Sequence, residues 1–88
     1  MTICYLGAVR EITGVREQTL FAPTILGLME TLLNTYGNTW KEQVFDGKAL
    51  TPDVVVMVNG LNIHQIKGLS TPLGSTDRID IFPMFEGG

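Results

Sequence analysis

Cysteine, histidine and cationic side chains are all scarce in this chain, and each scarcity removes a class of function. Cys4 is the only cysteine in 88 residues, so no disulfide can form within the chain. A single thiol inside an apolar segment reads as a core residue rather than a nucleophile or a ligand. His64 is the only histidine, and without clustered cysteines it leaves no credible metal site. Lys and Arg number 6 against 9 Asp and Glu, for a net charge of -3. No basic stripe is available to neutralise phosphates, which excludes nucleic acid as the expected partner. The balance favours a partner with a basic surface instead. The longest apolar run, residues 54–58, is far too short to cross a bilayer, so no membrane role is expected. No basic segment followed by an apolar run and a small-residue cleavage site opens the chain, and the expected location is the cytoplasm. Also missing are a phosphate-cradling glycine loop, a nucleophile beside a base, and paired carboxylates at a pocket-like spacing. Autonomous catalysis and a bound cofactor are therefore not expected.

What is present describes an ordinary folded domain: 44% hydrophobic and 17% charged residues, enough apolar material for one small core. Residues 2–8 carry the apolar run Ile3, Cys4, Tyr5 and Leu6 and read as a first strand. Residues 9–14 read as a connection closed by Gly14, and residues 16–22 as a second strand completing an antiparallel hairpin. After Pro23-Thr24 the apolar period lengthens to about 3.6. Thr24 is suited to cap a helix whose face is Ile25, Leu28, Met29, Leu32, Leu33 and Tyr36, with Gly37 at its end. Residues 38–45 suggest a short helical turn, with Trp40 and either Val44 or Phe45 plugging the end of the core. Asp46-Gly47-Lys48 is a turn, followed by loop as far as Asp53. Residues 54–59 form the clearest strand, rich in β-branched side chains and suited to a central position. Asn59-Gly60 is a hairpin signal, with a short strand at 62–64 to follow. Ile79, Asp80, Ile81 and Phe82 make a last strand, stopped by Pro83.

This order predicts an α+β fold of the β-grasp kind: a mixed sheet of about four to five strands crossed by one main helix. Residues 1–88 are expected to form a single domain, its last strand lying beside its first. Residues 83–88 would then form a protruding flexible tail. Gly87-Gly88 has no Cβ atoms and fits a channel too narrow for other dipeptides. It also leaves the Gly88 carboxylate unshielded. If Ile79 and Ile81 face the helix, alternation turns Asp80 and Phe82 to the other side. Phe82 is then either an aromatic anchor for a partner or ordinary core. Asp77 reads as a turn residue, and His64 as structural.

In order and spacing, several segments resemble the small, ubiquitin-like subunit of molybdopterin synthase, within the wider family of C-terminal Gly-Gly sulfur carriers and ubiquitin-like modifiers. The resemblance is carried by Ala8-Val9-Arg10-Glu11-Ile12-Thr13-Gly14, Pro23-Thr24, Tyr36-Gly37 and Val58-Asn59-Gly60. It continues through Thr71-Pro72-Leu73-Gly74-Ser75-Thr76-Asp77-Arg78-Ile79 and Ile81-Phe82-Pro83 to the final Gly87-Gly88. The length favours the molybdopterin branch over the shorter thiamine-type carriers. The chain departs from the family where a second proline is common, which here is Met84. It also departs before the glycines, where small or neutral residues give way to Phe85 and Glu86.

The resemblance implies that a separate adenylating enzyme uses ATP to activate Gly88. A sulfur donor then converts the acyl-adenylate to a thiocarboxylate, and the large synthase subunit accepts the sulfur for the dithiolene of molybdopterin. Gly88, with Gly87, would be the reacting end. Phe82, Pro83, Met84, Phe85, Glu86 and Arg10 would contact the partner, although a simply solvated Arg10 is equally consistent. Other readings compatible with the sequence are a modifier forming isopeptide bonds through Gly88, a carrier for thiamine or tRNA thiolation, and a passive β-grasp interaction domain.

Overall fold

A computed structural model describes residues 1–84. Seven strands and three α-helices follow the order β1 (Thr2–Tyr5), α1 (Gly7–Thr13), β2 (Glu17–Thr19), α2 (Ile25–Tyr36), α3 (Asn38–Val44), β3 (Phe45–Asp46), β4 (Ala49–Leu50), β5 (Val54–Val58), β6 (Leu61–Asn62) and β7 (Arg78–Pro83). Five strands form one mixed sheet in the order β2-β1-β7-β5-β6. The final strand β7 lies in the middle, parallel to β1 and antiparallel to β5. The β-grasp expectation is met.

One sheet face is covered. Ile3 and Tyr5 of β1, Ile79 and Ile81 of β7, and Val54, Val56 and Val58 of β5 point inward and join Ile25, Leu28, Met29 and Leu32 of α2 in a single core. Thr24 caps α2 as expected, accepting a hydrogen bond from the Gly27 N–H at 3.1 Å. Trp40 and Val44 of α3 close the core and are fully buried, while Phe45 is only half-buried. Tyr5 meets Trp40 edge-on, with ring centroids 6.4 Å apart. At the rim, Gln18 accepts hydrogen bonds from the phenols of Tyr5 and Tyr36. Burial pushes the Tyr5 hydroxyl pKa up, so this phenol stays a neutral donor.

Several element boundaries differ from the sequence reading. Residues 9–14 are not a simple connection: they belong mostly to α1, whose Val9 is fully buried. Strand β1 ends at Tyr5, and Gly7, at φ 61°, turns the chain into that helix. The pairing of β1 with β2 is antiparallel as expected, but a helix joins the two strands, and β2 spans only Glu17–Thr19. Gly14 does end the segment, in the left-handed conformation at φ 75° with its N–H bonded to the Arg10 carbonyl. The segment before Asp53 is more than loop, because β3 and β4 pair as a two-stranded ribbon around the predicted Asp46-Gly47-Lys48 turn. The short strand after Asn59-Gly60 comes one residue earlier, at Leu61–Asn62. It then passes into a 3-10 turn, Ile63–Gln65, capped by the Asn62 side chain. Finally, β7 starts at Arg78 and includes Pro83 instead of stopping before it.

Candidate functional site at the base of the tail

The uncovered sheet face carries its side chains in rows across the strands, and their polarity changes along β7. The row nearest the tail is apolar. Phe82 lies opposite Val55, and Leu6 follows β1 with its N–H donating to the Ile81 carbonyl at 3.1 Å. Alternation from Cys4 turns Leu6 to this face, where it is about half exposed. Phe82 is also half-buried and stands outside the buried core cluster. Phe82 is thus not part of the buried core.

The next row pairs Glu17 with Cys4, Cys4 with Asp80, Asp80 with Met57, and Met57 with Asn62. The Cys4 thiol donates weakly toward Glu17 Oε2 at 3.7 Å. Burial, with the carboxylates of Asp80 and Glu17, raises its pKa, which keeps it protonated and unreactive. The row farthest from the tail is polar: Thr19 opposite Thr2, and Thr2 opposite Arg78. Arg78 Nε bonds Asp80 Oδ1 at 3.2 Å, an exposed ion pair of small energetic weight.

At that far end Asp77 is the turn residue the sequence indicated. Its carboxylate accepts from Asn59 Nδ2 at 2.9 Å and from the Gly74 N–H at 2.7 Å. The Asn59 side chain also accepts from the Arg78 N–H at 2.9 Å, so a polar clasp ties the β5–β6 turn to the start of β7. Those two donors, the Asn59 amide first, hold the Asp77 carboxyl below its usual range. His64 is exposed, and its backbone N–H bonds to Asn62 Oδ1.

Of the predicted partner-contacting residues, Phe82, Pro83 and Met84 lie together at the tail end of β7. Met84 is about half exposed. Arg10 lies on α1, which packs against β7, and it has no ion-pair partner among the described residues. Phe85, Glu86, Gly87 and Gly88 lie outside the described residues. Sequence reasoning did not assign Leu6, Val55 or Met57 to this face. No sequence signal marked them: all five residues of β5 are apolar, and burial alternates along the strand only because helices cover one face. Among the described residues no cluster of His, Cys, Asp or Glu could hold a metal ion, and no helix is long and apolar enough to cross a membrane.

The profile of the ThiS family matches residues 3–88. No curated protein gives a significant match. Among solved structures, the BexX/CysO complex of Amycolatopsis orientalis contains a similar chain, at TM-score 0.84 and 20% identity over 99% of this chain and 98% of that one. Small archaeal modifier protein 1 of Methanosarcina acetivorans is similar at TM-score 0.83 and 26% identity, over 99% and 94%. Urm1 of Trypanosoma brucei is similar at 0.80 and 21%, over 99% and 93%.

Proposed function

The chain belongs to the ThiS family, and from that membership we propose that it is a sulfur carrier whose Gly88 carboxylate is converted to a thiocarboxylate for dithiolene formation in molybdopterin. The observation that carries this reading is the family match from residue 3 through both glycines of the tail. A carboxylate resists nucleophiles because it is anionic and resonance-stabilised. Transfer of adenylate from ATP to Gly88, with release of pyrophosphate, makes the acyl carbon electrophilic. A sulfur donor then displaces AMP. The activating enzyme binds the ATP and performs the chemistry, while this chain supplies orientation and an exchangeable atom.

Docking uses the apolar row at the tail base. Phe82, flanked by Leu6 and Val55, is an aromatic anchor of the type enriched at binding hot spots, with Pro83 and Met84 continuing the surface toward the tail. Arg10, Phe85 and Glu86 complete the contacts with the adenylating enzyme and with the large synthase subunit. The single-domain assignment over 1–88 belongs to the same proposal, with the tail beginning beyond Pro83, which pairs with Val54 in β7, and not at 83 as the sequence suggested.

Intact mass decides the chemistry. After incubation with the host's activating enzyme, ATP and a sulfur donor, the chain gains the mass of one oxygen replaced by sulfur, and a form lacking Gly88 does not. Transfer of that sulfur to precursor Z in the presence of the large subunit assigns the acceptor. The likeness to small archaeal modifier protein 1 at 26% identity favours a second reading, a modifier joined to lysines through Gly88. Lysine-branched Gly-Gly peptides, with no mass gain on the free chain, would establish that one instead.

A further inference from the structure

Pro83 stops β7 on one side only. In the antiparallel ladder with β5, Val54 lies opposite Pro83. Ladder bonds flank this pair, and the Met84 N–H donates to the Asp53 carbonyl at 2.7 Å. Pro83 occupies a position where that ladder asks nothing of its nitrogen. On the other side the parallel ladder with β1 has its last bond at Leu6 N–H to Ile81 O, 3.1 Å. The next bond in a parallel register would come from the N–H of residue 83, and proline has none. The chain is therefore released from β1 at Pro83 but held by β5 through Met84.

The acceptor is itself fixed. The Val54 N–H bonds the Thr51 carbonyl at 3.3 Å, making a turn with Pro52 at its second position. The Asp53 N–H reaches Thr51 Oγ1 at 3.4 Å. Thr51 is bonded in turn through its N–H to the carbonyl of the buried Val44, at 2.8 Å. The Asp53 carbonyl is thus tied to the end of α3.

Resting on the carrier reading above, we propose that Met84 is a positioning residue: its backbone N–H, clamped to Asp53, sets the origin of the delivery arm one residue beyond Pro83. Four residues remain, which span at most about 13–14 Å, instead of about 17 Å for five counted from Pro83. A proline at position 84, common in the family but absent here, has no N–H and cannot make this bond. Arm length is therefore set by the residue at 84 as well as by the number of residues in the tail, and it limits how deep an active site Gly88 can serve.

A suppressor experiment tests this. Deleting Glu86 shortens the arm by about 3.5 Å and is expected to lower adenylation by the host's activating enzyme and ATP at least ~10-fold, since misplacement of about an ångström is already costly. Adding Met84→Pro to the deletion frees one more residue and is expected to restore adenylation to within ~3-fold of wild type. Met84→Ala in the same deletion keeps the N–H and does not restore it. Amide exchange provides a readout that needs no partner: the Met84 N–H is expected to exchange at least ~10-fold more slowly than in an unstructured peptide. Failure of Met84→Pro to rescue the deletion, or equal rescue by Met84→Ala, overturns the inference, as does a Met84 amide that exchanges freely. A wild-type chain that the active enzyme does not adenylate, while Met84 stays protected, overturns the carrier reading instead and leaves the clamp standing.

Discussion

Ile81 and Phe82 are sequence neighbours with opposite tasks. Ile81 points into the core and is fully buried, whereas Phe82 is only half-buried, on the uncovered face. Ile81→Ala removes packed methyl groups from a closed interior and is expected to cost about 2–5 kcal/mol, read as a shift in urea midpoint. Phe82→Ala is expected to cost about 1 kcal/mol of stability or less, but to weaken the complex with the activating enzyme by ~10-fold or more in a titration. Equal loss of stability and of binding in both variants would place Phe82 in the core after all. Asp77 makes a different kind of prediction. Its carboxyl pKa is held below the ordinary value of 3.8 by the Asn59 amide and the Gly74 N–H. A carboxyl depressed by folding stabilises the native state fully above its unfolded pKa, and that contribution is lost as pH falls through the folded value. Asp77→Ala is therefore expected to melt below wild type at neutral pH, with the gap narrowing as pH falls below the ordinary carboxylate range. A gap independent of pH across a melting series would mean that the clasp acts without its charge.

At the level of elements, α1 was the one the sequence concealed. Helix α2 spans Ile25–Tyr36 and shows its apolar period over three turns, with a threonine cap before it and a glycine after it. Those local signals agree with its tertiary burial, so it was legible. Helix α1 has seven residues and only Val9 fully buried. So short a segment cannot display a period, and helices of that length are held by tertiary packing more than by propensity. Strands β3 and β4 have two residues each and fell below the same threshold, whereas the equally short β6 was marked by the Asn59-Gly60 turn before it. The central strands were legible because their apolar runs are long, and the β7 position beside β1 followed from the fold class. In the candidate site, Phe82 could be placed on the outer face by simple alternation. Leu6, Val55 and Met57 could not, because an all-apolar strand does not declare which of its faces lacks a cover. The hydrogen-bond register at Pro83 was hidden for a related reason: proline marks a missing donor, but only the pairing shows which neighbour misses it. Gly14 offers a test of α1 as an element. At φ 75°, with no atom near enough to crowd a Cβ, it can be replaced without collision but not without backbone strain. Gly14→Ala is expected to cost about 1 kcal/mol in denaturant midpoint. No change would show that α1 ends without needing a left-handed residue.

Viewed whole, the molecule is a sheet with helices on one side and an apolar-to-polar gradient on the other. Its final strand is central, so Pro83 and Met84 lie in the middle of the sheet, beside the apolar row. On the proposed reading, docking and delivery would be coupled: a partner covering Leu6, Phe82 and Val55 would lie beside Met84, whose N–H bonds the Asp53 carbonyl. Cys4 gives a direct way to observe this, because it is the only thiol and sits in the adjacent row with 9% of its surface accessible. Its pKa is raised, chiefly by burial, so the native chain is expected to react with a thiol reagent at neutral pH at least ~10-fold more slowly than the urea-unfolded chain. Saturation with the activating enzyme should slow labelling further, by the fraction of chain bound, since the docked partner removes what access remains. Binding that leaves the Cys4 rate untouched would locate the partner away from this face, and would mean that the tail is captured without the sheet being used as a platform.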